Sequence, residues 1–244
     1  MTHDRDAKTY LLGASVISVV LSFIPMADLL VYPFKLFVTF IHEGGHALMA
    51  VATMGAVERI AIYYDTSGIT LSLGGWPILI SSAGYLTSTL FGAALLLICR
   101  NGKRAKMALG ITAALILALT IVWVKGIFGL IVGGGLTAAL IFFAAASNPK
   151  VAHFFLSFLA VQCCLNALYD LKTLFLISAV TNQSSDAVNM QRMTMIPATV
   201  WSVLWLGLSL VVLWLALRTY FRRGATPWEP ETLASSRASA NSYR

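Results

Sequence analysis

The chain has 244 residues, of which 58% are hydrophobic and only 11% charged. Soluble domains carry about 25% charged residues, so the composition excludes an ordinary soluble domain and predicts a membrane protein. The net charge of +7 does not point to nucleic acid, because the cations sit in short loops between apolar runs and no basic stripe carries interleaved aromatics.

A bilayer is crossed by about 20 apolar residues, and seven such runs are predicted: 10–31, 34–55, 76–98, 107–124, 127–146, 151–179 and 197–218. The expected fold is an all-α polytopic membrane protein with about seven transmembrane helices and a short β-hairpin between the second and third. Residues 1–221 form one domain with its core at 34–180, and the polar tail 222–244 is expected to be disordered. The first run is too long for a signal-peptide core and is read as a retained helix.

The second run holds the stretch FIHEGGHALMA, residues 40–50. His42, Glu43 and His46 match H-E-x-x-H. Residues four apart share one helix face, so two imidazoles converge on one metal ion, with the glutamate beside them to act on water. An ionised side chain at mid-membrane costs roughly 2.5–3.5 kcal/mol, and a metal removes that objection. The competing reading is a structural pair of hydrogen-bonded histidines. Gly44 and Gly45 each cost about 1 kcal/mol in helix propensity; they admit either a neighbouring helix or a substrate backbone.

Next comes VERIAIYYDTSGITLSLGG, residues 57–75. Ile60, Ile62 and Tyr64 alternate with other residues, as do Ile69, Leu71 and Leu73, with DTSG between them. This period of two predicts a hairpin. Further on, Gly126, Gly129 and Gly133 recur at helical spacing and predict a close helix–helix approach. The run GGG at 133–135 has no following Lys-Ser/Thr and is not a phosphate loop.

A catalytic zinc takes three protein ligands and one open position. Within CCLNALYDLKTLF, residues 163–175, Asp170 lies in an apolar helix four residues after Asn166, on the same face. Asp170 is the leading third ligand. Cys164 is a rival, and pairing of Asp170 with a polar neighbour is the non-metal alternative. The three cysteines, Cys99, Cys163 and Cys164, read as free thiols in membrane helices.

The HEGGH helix, the later NALYD and the hairpin between them resemble the site-2 protease family of intramembrane zinc metalloproteases. The likeness covers roughly residues 34–180 and is nearest to a compact branch without PDZ or CBS domains. It implies a Zn²⁺ cofactor with His42, His46 and Asp170 as ligands, Glu43 as general base and Asn166 as a substrate-positioning residue. Leu171 follows Asp170 where the family shows glycine. The branch also carries a later Ser-Asp-Ala, here Ser185, Asp186 and Ala187, read either as a loop cap or as part of the site. The hairpin is expected to engage substrate as an added strand. The implied partners are a membrane-protein substrate and the lipid bilayer, with no nucleic acid and no small-molecule cofactor.

The function read from these residues is zinc-dependent hydrolysis of membrane-embedded or membrane-adjacent polypeptide. The alternatives are a non-proteolytic metal-binding scaffold or regulator that retains the fold, and a transporter. Counting Lys and Arg on alternate sides gives eleven against five, with Lys172 inside a span. The positive-inside rule then predicts an outside N-terminus, a cytoplasmic C-terminus and an outside hairpin. Relatives in the family have the hairpin on the cytoplasmic side, so the two expectations differ.

Overall fold

Apolar runs become helices along most of the chain. The computed structural model describes residues 2–22, 28–99, 102–180 and 185–222. In chain order these form α1 (Thr2–Ser22), α2 (Asp28–Ala52), β1 (Ala56–Ile62), β2 (Gly68–Leu73), α3 (Pro77–Ile98), α4 (Gly102–Val122), α5 (Ile127–Ala145), α6 (Pro149–Val180), α7 (Asp186–Thr194) and α8 (Ala198–Arg222). Among the described residues, α3, α4, α5 and α8 are long and apolar enough to cross a membrane. The tail expected to be disordered lies outside the described residues from 223 onward.

The boundaries follow local chemistry. Pro77 opens α3 and Pro149 opens α6, positions where the missing N–H costs nothing. Gly126, at φ 97°, breaks α4 from α5 in a conformation that side chains disfavour. The first expected run, 10–31, is helical in α1 as far as Ser22 and again from Asp28 in α2; its residues 23–27 lie outside the described residues. Helix α7 was not anticipated, because its polar sequence falls between two apolar runs.

Helix α2 lies among its neighbours. Phe37, Phe40, Ile41 and Ala47 are buried with Leu109 and Ile116 of α4 and Leu156 and Cys163 of α6. The two glycines of HEGGH serve this packing. A Cβ on Gly44 would stand 2.7 Å from Leu119 of α4, and one on Gly45 would stand 2.7 Å from Thr87 and 2.9 Å from the Ala83 carbonyl of α3. Gly129 and Gly133 of α5 likewise face close neighbours in Val124 and Thr120, while Gly134 and Gly135 face open space. Buried hydroxyls tie α3 to α8: Thr89 donates to Ser209 at 2.9 Å.

The hairpin forms where the alternation predicts it. Strands β1 and β2 pair antiparallel, with Ile60 opposite Thr70 and Ile62 opposite Gly68. The turn is closed by Asp65, whose Oδ1 accepts from the Ser67 N–H at 3.0 Å and the Ser67 hydroxyl at 2.6 Å; those bonds hold its carboxyl below the usual range. The other edge of β1 is occupied. The Ile60 N–H donates to the Trp123 carbonyl at 2.8 Å, and the Lys125 N–H donates to the Ile60 carbonyl at 2.9 Å. Since both polar groups of Ile60 face away from β2, Ile60 and Thr70 form a non-hydrogen-bonded pair. The N–H and C=O of Thr70 therefore face the outer edge of β2, and the alternation gives Gly68 and Ser72 the same direction.

Candidate metal centre

The face of α2 toward the hairpin carries Tyr32, Thr39 and Glu43, spaced seven and four residues apart. The Tyr32 hydroxyl donates to the Tyr64 carbonyl at 2.7 Å, and the Thr39 hydroxyl reaches the Thr66 carbonyl at 2.6 Å. Thr70 of β2 places its hydroxyl 2.7 Å from Glu43 Oε2 and 3.0 Å from the Glu43 carbonyl oxygen. Glu43 is buried, at 5% relative exposure, so this donor matters to a carboxylate removed from water.

One step around the helix, His42 and His46 turn toward α3 and α7. Their Nε2 atoms are 3.1 Å apart. Asp186 Oδ2 lies 3.3 Å from His42 Nε2 and 3.3 Å from His46 Nε2. These three side chains are a group of the described residues with metal-ligand placement. His46 Nδ1 donates to the Ile80 carbonyl at 2.6 Å. A carbonyl only accepts, so the proton sits on Nδ1 and a neutral His46 turns the lone pair of Nε2 inward. His42 is held by an edge-on contact with Tyr85, with ring centroids 4.6 Å apart, and Tyr85 stacks on Trp205 of α8 at 5.3 Å.

Asp186 arrives from the far end of the chain. It is the first residue of α7, and the Ser185 side chain caps that helix by accepting from the Val188 N–H at 3.3 Å. Ala187, Val188 and Met190 are buried with Ala198 and Trp205, which fixes α7 against α8. Of the two readings of Ser-Asp-Ala, the cap is made by Ser185, while Asp186 lies at the histidines. The sequence signal for it was the Ser-Asp-Ala that the resemblance pointed out. Nothing local tied that signal to residues 42 and 46.

The group fits a zinc ion. Ligand atoms about 2.0–2.1 Å from a tetrahedral zinc stand about 3.3 Å from one another, which is the spacing of the three atoms here. The His46 Nε2 lone pair turned on a carboxylate repels it unless a cation lies between them. The backbone of α3 also leaves room: a Cβ on Gly84 would stand 2.5 Å from Nε2 of both His42 and His46. Residue 84 therefore borders the metal-facing space, and glycine keeps that space clear.

Asn166 and Asp170 lie on α6, but their side chains are outside the described residues. Cys164, the rival ligand, is buried and faces Gly92, where a Cβ would stand 3.0 Å from its Sγ. Gly92 is two helical turns along α3 from Gly84. The thiol is thus remote from the histidine cluster and fills space between α3 and α6.

Apolar helices long enough to span a bilayer, packed around a half-buried histidine, a buried one and a half-buried carboxylate, define a membrane protein built around a candidate metal centre. A family model described as Peptidase M50B-like matches residues 12–216. The chain belongs to this family, a site-2 protease family, and is an integral membrane protein. No curated protein and no solved structure matches it.

Proposed function

We propose that the chain is a zinc-dependent intramembrane endopeptidase in which His42, His46 and Asp186 hold the metal and Glu43 is the general base. The observation that carries this reading is the 3.1–3.3 Å triangle of His42 Nε2, His46 Nε2 and Asp186 Oδ2 with a buried glutamate next to it in sequence. Zinc bound there supplies Lewis acidity to a scissile carbonyl and brings the pKa of water to about 7. Glu43 Oε1, the oxygen not held by Thr70, takes up the water proton and passes it to the leaving amine. A site for metal binding alone has no use for Glu43, which favours the protease over the scaffold.

The hairpin supplies the path for substrate. A membrane helix reaches the site with its backbone hydrogen bonds internally satisfied, and cleavage requires it extended. The outer edge of β2 offers replacement partners at Gly68, Thr70 and Ser72. Ile69, Leu71 and Leu73 are exposed on the opposite face of that strand and suit an apolar surrounding. The reading extends to seven membrane-spanning helices, α1 to α6 and α8, with α7 closing over the metal centre.

The test compares new protein N-termini in membranes carrying the wild-type chain with those carrying Glu43→Gln. Termini inside or beside predicted membrane helices, present only with the wild type, are expected. Identical terminus sets would contradict proteolysis.

A further inference from the structure

We propose that Thr70 is a positioning residue for the general base: one residue of the edge strand presents its main chain to substrate and its side chain to Glu43. The inference deepens the protease reading above and rests on it.

Three features of the hairpin converge. The Thr70 hydroxyl stands 2.7 Å from Glu43 Oε2 and is the hydrogen-bond donor that the described residues give this carboxylate. Gly68, two residues earlier on the same face, lets the carboxylate lie against the strand: a Cβ there would stand 2.7 Å from Glu43 Cγ and 2.8 Å from Oε1. The pairing of Ile60 with Thr70, with both Ile60 polar groups committed to Trp123 and Lys125, turns the Thr70 N–H and C=O outward. Glu43 is thus clamped by two residues of the strand on which an extended polypeptide would add.

The hydroxyl has one proton. It goes to Oε2, the nearer and charged acceptor, in preference to the Glu43 carbonyl at 3.0 Å. That bond stops the carboxylate from rotating and leaves Oε1 as the basic oxygen. Positioning by a held carboxylate matters because small misplacements of a catalytic group cost large factors in rate. The division of labour within one residue makes a distinct prediction. Substrate docking uses the Thr70 main chain, which a side-chain substitution retains. Base positioning uses the hydroxyl, which Thr70→Val removes at nearly constant volume.

The experiment measures hydrolysis of fluorescein-labelled casein, an unfolded probe, by the zinc-loaded full chain in detergent, for wild type, Thr70→Val and Thr70→Ser. The same three proteins, labelled with ¹³C-glutamate, give the Glu43 carboxylate stretch by infrared difference against Glu43→Gln. Thr70→Val is expected to lower kcat at least tenfold, to leave KM within about twofold and zinc content intact, and to shift the Glu43 band. Thr70→Ser is expected to restore both rate and band. Unchanged kcat in Thr70→Val, or a loss that Thr70→Ser fails to restore, overturns the proposal. If the wild type leaves casein intact, the protease reading fails on that probe, and the band decides about Thr70: a band that Thr70→Val does not move overturns its hold on Glu43, and a shifted band upholds it.

Discussion

Gly84 of α3 faces His46 of α2 so closely that a Cβ on residue 84 would stand 2.5 Å from the histidine Nε2. The same atom would be equally near His42 Nε2. A methyl group there either enters the space between the ligands or forces α3 away from α2. Gly84→Ala is therefore expected to lower zinc occupancy at least tenfold while the chain still inserts and folds, because alanine is a better helix former than glycine. Metal content by mass spectrometry on the purified protein checks this. Full zinc occupancy in Gly84→Ala would show that the ion does not lie where the three ligand atoms converge.

The edge of β2 gives a separate prediction. Ile69 and Leu71 direct their N–H groups toward β1, opposite Ala61 and Arg59, so a proline at either would damage the hairpin itself. Ser72 directs its N–H outward. Ser72→Pro removes one donor from the outer edge, a position where sheets tolerate proline. Cleavage of a membrane substrate is expected to fall several-fold with zinc content unchanged. Unaltered cleavage would remove the outer edge of β2 from the substrate path.

The histidine pair and the hairpin were legible in the sequence because each is a local pattern. His42 and His46 share a face by helical spacing, and Ile69, Leu71 and Leu73 alternate. Asp186 was legible only through the resemblance, which left Ser185-Asp186-Ala187 open as a cap or as part of the site: it is 144 residues from His42 and begins a short polar helix that apolar periodicity passes over. Asp170 drew attention because a lone acid in an apolar run is costly, a criterion that carries no distance information, and its side chain lies outside the described residues. Gly84 and Thr70 carry no sequence signal, since what matters in each is the neighbour it meets from another element. Gly44 and Gly45 were visible as unusual, but only the positions of Leu119 and Thr87 show that they serve helix packing.

The bridge between Ile60 and Val124 keeps the hairpin and the α4–α5 turn on one side, and the count of eleven Lys and Arg against five predicts that this side is outside. Single cysteines introduced at Ser67 in the hairpin turn and at Lys103 in the first turn of α4, in a background lacking the three native thiols, are expected to react with an impermeant maleimide from opposite sides. Labelling of Ser67→Cys only after the cytoplasmic face is opened would reverse the assignment.

The central claim is that metal binding and proton transfer belong to different residues of one site. Zinc content and peptide hydrolysis, measured on the same preparations of Glu43→Gln, Asp186→Asn and Asp170→Asn, test it most directly. Glu43→Gln keeps the ligands and loses the base, so one zinc per chain should remain while hydrolysis falls by roughly 10²–10⁴-fold, the contribution of general acid–base catalysis. Asp186→Asn exchanges an anionic ligand for a neutral one, so zinc and activity should fall together. Asp170→Asn should keep its zinc. Hydrolysis by Glu43→Gln at the wild-type rate, or full zinc in Asp186→Asn with loss of zinc in Asp170→Asn, would contradict the account.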